Sequence, residues 1–74
     1  MGQRQLALNK SDLTRARDAN NRELLESAFK EAKKIIKAGG NVNVQESFSD
    51  GSIEVVDVID NLEQLNHFKS IYLR

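Results

Sequence analysis

A single histidine and no cysteine occur in the 74 residues. Any chemistry is therefore confined to carboxylates, hydroxyls, amines and one imidazole. His67 follows Glu63 by four residues, the spacing at which two side chains meet on one helix face. The pair reads as a surface ion pair rather than a catalytic or metal-binding couple. Asp57, Asp60 and Glu63 form an acidic cluster, but the oxygen-ligand pattern of a calcium loop is absent. The spacing of Asp60 and Glu63 is that of a helix capping box. Gly39-Gly40 follows a helical pattern and lacks the Gly-Lys-Ser/Thr ending of a phosphate loop, so it reads as a cap and turn. Without a thiol there is neither a nucleophilic cysteine nor a thiolate zinc site. The sequence predicts a non-enzymatic protein with no catalytic residues, no metal site and no cofactor.

The remaining chemistry is electrostatic. Residues 1–38 hold nine Lys/Arg and five Asp/Glu, a net of +4, while residues 39–74 hold two and six, a net of −4. The whole chain is neutral. A dedicated nucleic-acid binder usually keeps a net positive charge, so this polarity favours complementarity between protein surfaces. Lys30, Lys33, Lys34 and Lys37 crowd into eight residues. They lie opposite an apolar stripe, and a solvated helix face accounts for them. The competing expectation is a nucleic-acid contact by Arg15, Arg17 and Arg22 together with these four lysines, holding phosphates without a sequence motif. No helix-turn-helix, ribonucleoprotein or zinc pattern accompanies them. The three phenylalanines are needed for a core, which leaves little for base stacking.

The elements that must position these residues follow from periodicity. Leu24, Leu25, Ala28, Phe29, Ala32, Ile35 and Ile36 recur at helical spacing, on an arc of roughly 140°. Lysines in the last turn and Gly39 end that helix. Projected backwards, its stripe would place Arg17, Asp18 and Asn21 among apolar neighbours, so a break near Asn20 or a differently facing extension is expected. Asn20 or Asn21 would cap it, Asn20 with Glu23 at capping-box spacing, or Ser11 further back for a helix of nearly thirty residues. Asp50-Gly51 is a preferred two-residue hairpin turn. It would set Phe48 against Ile53, Glu46 against Val55 and Val44 against Asp57, with Val42, Val44, Phe48, Ile53 and Val55 on the core face. After Val58, Leu62, Leu65, Phe68 and Tyr72 follow one side of a second helix, with residues 70–74 open between helix, strand and tail.

The predicted architecture is an α+β, two-layer helix–β-hairpin–helix (αββα) domain over residues 11–74, its two-stranded antiparallel hairpin packed on a long N-terminal helix. Leu6 and Leu8 alternate with other residues, which is compatible with a short strand, but residues 1–10 are expected to be a flexible or partner-ordered arm. The predicted core joins Leu25, Phe29, Ala32 and Ile36 to Val44, Phe48, Ile53 and Val55, closed by Leu62 and Leu65. The helix–hairpin–helix order resembles that of the small head–tail joining proteins of tailed phages. The resemblance rests on element order and a glycine-turned hairpin, without a shared motif, and the long first helix departs from it.

A domain this short buries only about 60% of its unfolded surface, and one without disulfides or metals often leans on a partner. Leu6, Leu8 and Leu13 have no place on the main stripe. Together with Arg15, Arg17 and Arg22 they are the expected contacts to another protein or a second copy, the arginines meeting Asp57, Asp60 and Glu63. The expected function is a small protein–protein interaction module, of the kind found among adaptor, accessory or inhibitor proteins of phages and mobile elements. No apolar run approaches the roughly 20 residues of a membrane span. "MGQRQLALNK" has no signal-peptide core. Leu6 stands where a myristoylation signal has Ser or Thr. A cytoplasmic protein without a membrane partner is expected.

Overall fold

The computed structural model describes residues 5–73. The chain runs β1 (Gln5–Asn9), α1 (Lys10–Asp18), α2 (Arg22–Lys37), β2 (Asn41–Ser47), β3 (Ile53–Ile59) and α3 (Leu62–Tyr72). The fold is α+β, with three helices on one side of a three-stranded mixed sheet ordered β1-β2-β3. β1 pairs parallel to β2 across the two-helix crossover, with Gln5 against Asn41 and Leu8 against Val44. β3 returns antiparallel on the other side of β2. Principal extents of 34 × 30 × 17 Å describe a slab two layers thick. Among the described residues, no helix is long and apolar enough to cross a membrane.

The two-stranded αββα expectation is thereby corrected. The segment expected to be an arm supplies strand β1 from Gln5 onward, and residues 1–4 of that arm lie outside the described residues. The physical reason is the alternation of Leu6 and Leu8. Paired with Val42 and Val44, they join the helix-facing side of the sheet, where Leu8 is buried. Leu13 and Ala16 of α1 are buried as well, so α1 carries its own apolar stripe.

The helix boundaries follow from asparagines and glycine. Asn9 caps α1, its Oδ1 accepting from the amides of Ser11 (2.8 Å) and Asp12 (3.4 Å). This is the role expected of Ser11. The break near Asn20 is present: Asn20 takes φ +56° and Asn21 caps α2 by accepting from the Leu24 amide at 3.2 Å. At the other end Gly39, at φ +89°, lets its amide reach Ile36 O (3.0 Å) while the Gly40 amide reaches Ile35 O (2.8 Å). That pair of bonds closes α2 as a Schellman motif. Asn61 caps α3 through the Gln64 amide at 2.8 Å, one residue after the expected Asp60, and α3 continues to Tyr72.

The core contains Leu8, Leu13, Leu25, Phe29, Ala32, Ile36, Val42, Val44, Ile59, Leu65 and Tyr72. Phe29 lies under two rings of α3, with centroids 5.8 Å from Phe68 and 6.2 Å from Tyr72. Three expected core residues, Phe48, Ile53 and Val55, are exposed instead. The cause is the turn. The Phe48 amide bonds Ser52 O at 2.9 Å and the Gly51 amide bonds Phe48 O at 3.0 Å, with Gly51 at φ +88°. This is a three-residue loop ending in a left-handed glycine, not a two-residue turn. It pairs Ser47 with Ile53 and Gln45 with Val55, one residue from the expected register, and a one-residue shift moves side chains to the other face. An extra residue, Val56, then restores the register, so that Val44 opposes Asp57 as expected and Val42 opposes Ile59.

Candidate functional site

β3 is the strand on which these effects converge. Six of its seven residues are exposed. Ile53, Val55, Val56 and Val58 keep 44–59% of their surface accessible. Monomeric proteins rarely leave a run of apolar side chains on a sheet edge without guards. Here the guards are Glu54, Asp57 and the irregularity at Val56. Pairing places Ile53, Val55 and Val58 on the face turned away from the helices, and Asp57 and Ile59 on the face turned toward them.

Beneath that second face the helix layer is incomplete. α3 packs on α2 and α1 rather than along β3. A groove of about 910 Å³ remains between β3 and α3. Val56, Ile59, Phe68, Ile71 and Tyr72 supply its apolar surface, and Lys10, Asp57, Glu63 and His67 its polar rim. Ile71 is half exposed there. Residues 53–63, which form β3 and begin α3, contain Glu54, Asp57, Asp60 and Glu63 and no Lys or Arg. Phe48 adds a half-exposed ring at the hairpin tip. The turn itself is rigidified by Asp50, which accepts from the Ser52 hydroxyl (2.6 Å) and amide (2.9 Å). These two hydrogen bonds hold its carboxyl below the ordinary value of 3.8.

The residues singled out by sequence are distributed differently. Leu8 and Leu13 are buried in the chain's own core and Leu6 packs against it, so their surface is already used within the monomer. Arg15, Arg17 and Arg22 are exposed and meet neighbours on their own helices: Asp12 at 3.9 Å, Asp18 at 3.6 Å and Glu26 at 3.3 Å. Arg17 also lies over the Tyr72 ring, 5.7 Å from its centroid. Lys30, Lys33, Lys34 and Lys37 are exposed on α2 and form no ion pair among the described residues. Glu63 and His67 are both exposed and do not approach within the 4.0 Å of an ion pair. Asp57 accepts from the Val58 amide and Asp60 from the Asn61 side chain. Among the described residues, no group of three or more His, Cys, Asp or Glu could hold a metal ion.

Val56, Val58 and Ile71 were not anticipated as surface residues. A signal for the two valines exists: "IEVVDVI" carries more apolar residues than one face of a regular strand can bury, and the adjacent pair Val55-Val56 breaks the alternation. No protein-family model, curated protein or solved structure matches this chain.

Proposed function

We propose that this chain is a non-enzymatic protein–protein interaction module that receives an extended, basic segment of a partner protein along β3. The observation that carries this reading is the exposed apolar edge strand bracketed by Glu54 and Asp57. An added strand gains main-chain hydrogen bonds from an unpaired edge, and its alternate side chains reach the two faces. On one face they meet Val55 and Val58. On the other they enter the groove beside Val56 and Ile71. Basic residues on the partner would answer the carboxylates, which set orientation and on-rate more than affinity. The same carboxylates disfavour β3 pairing with itself. An adaptor or inhibitor role in a phage or mobile element is the class of function this surface suits.

Selection from a random peptide library against the full chain tests the proposal. Enriched peptides should alternate apolar and basic residues, and their amide-shift footprint should fall on residues 53–59 and on α3. Enrichment of acidic or unpatterned peptides, or a footprint confined to α2, would sink it. Val56→Lys should abolish binding of the selected peptides while leaving the fold intact.

A second reading, nucleic-acid binding, rests on the four α2 lysines, which find no carboxylate partner among the described residues. A gel-shift titration decides it: tight binding that weakens steeply with salt and disappears when all four become Gln would favour this reading over the first.

A further inference from the structure

We infer that the sheet face turned away from the helices is an interface between two copies of this chain, packed sheet on sheet about a two-fold axis. This surface centres on β2, away from the groove, and shares only Val55 and Val58 with the edge strand. Its centre is Asn41, Asn43 and Gln45 of β2, flanked by Val55 and Val58 of β3 and by Ala7 of β1. Among the described residues, strand alternation puts no Lys, Arg, Asp or Glu on this face, although 30% of the chain is charged. The charged residues within the strands, Glu46, Glu54 and Asp57, all fall on the helix side.

That segregation selects the occupant. Nucleic acid would find no cation and no aromatic ring on this face. A charged peptide would find no countercharge. A second copy meets no like charge, because a two-fold interface sets each patch against itself. Carboxamides are both donors and acceptors, so Asn43 and Gln45 can answer their own symmetry mates, while the Asn41 Oδ1 is buried within the chain. Val55 and Val58 add an apolar band.

The area also fits. Three strands of about five residues span roughly 14 by 17 Å. With side-chain relief, two such faces bury on the order of 500–1,000 Å², the size of a weak, reversible interface. Face-to-face packing of aligned sheets is an established arrangement, and it leaves the α2 lysines of both copies on the outside.

Sedimentation equilibrium of the full chain from micromolar to millimolar concentration tests the inference. The wild type should show a reversible monomer–dimer equilibrium. Asn43→Arg lies on the central strand, opposite Val58, and would place two unpaired cations in the interface. It should weaken association by at least about 100-fold with an unchanged circular-dichroism spectrum. Ala7→Lys, at an exposed position of β1, provides the same test if Asn43→Arg does not fold. A wild type that stays monomeric to millimolar concentration overturns the inference. So does a dimer that survives whichever of these variants folds, since such a dimer would use another surface. The peptides selected for β3 should still bind the Ala7→Lys variant, whose substitution lies on the opposite edge strand, so the two proposals fail separately.

Discussion

Phe29 holds the helix layer together, with its ring against Phe68 and Tyr72 and its side chain buried. Phe29→Ala should cost about 3–5 kcal/mol, a large fraction of the roughly 5–15 kcal/mol available to a small domain. Thermal melting followed by circular dichroism measures it, and a wild-type melt would remove Phe29 from the core. Gly51 offers a cleaner single-residue test. A Cβ added there meets nothing within 4 Å, yet φ is +88°. Gly51→Ala should therefore cost about 1–2 kcal/mol through backbone strain alone. Chemical denaturation should show this loss with no change in the core. Asp50 gives the turn a pH dependence. Its carboxyl is held below its ordinary value by Ser52, so its contribution is present above 3.8 and is lost as pH falls through the lowered folded value. Asp50→Asn should remove that acid-side component. An unchanged stability difference between wild type and Asp50→Asn across pH 5 to about 2 would show that the Ser52 bonds do not stabilise the fold.

At the scale of elements, β1 and β3 are the two edges of one sheet and do opposite things. β1 belongs to the core through Leu8. Leu8→Ala should cost about 2–5 kcal/mol, and removal of residues 1–9 should leave a chain without cooperative unfolding. A truncated chain that still melts cooperatively would show that β1 is dispensable. β3 contributes Ile59 to the core and leaves the rest at the surface. Its extra residue makes a specific prediction possible. Deleting Val56 restores plain alternation without moving Asp57, Val58 or Ile59 to other faces. The variant should fold with near wild-type stability but self-associate more readily, because a straight edge pairs better than an irregular one. Light scattering against concentration checks this. Wild-type solubility of the variant would show that the irregularity guards nothing.

For the whole molecule, charge and layering act together. The α2 lysines are exposed and unpaired among the described residues. Changing Lys30, Lys33, Lys34 and Lys37 to Gln should shift stability by no more than about 1 kcal/mol, since exposed charges contribute little. Loss of the fold in that variant would contradict their assignment to a solvated face. Much of the architecture was legible because it is encoded locally. Helical spacing from Leu24 to Ile36, the end at Gly39, the break at Asn20 and the presence of a hairpin around Gly51 depend on residues a few positions apart. Tertiary structure decided the rest. The parallel pairing of Gln5–Asn9 with Asn41–Gln45 joins segments separated by two helices, and no local period records it. Three residues of the Asp50-Gly51 loop, rather than two, shifted the adjoining pairs by one. That single step exposed Ile53 and Val55, because strand side chains repeat every second residue and a shift of one exchanges the faces. The candidate site escaped the sequence for the same reason: Val56 and Ile71 became a surface only when the helices covered β1 and β2 and left β3 open.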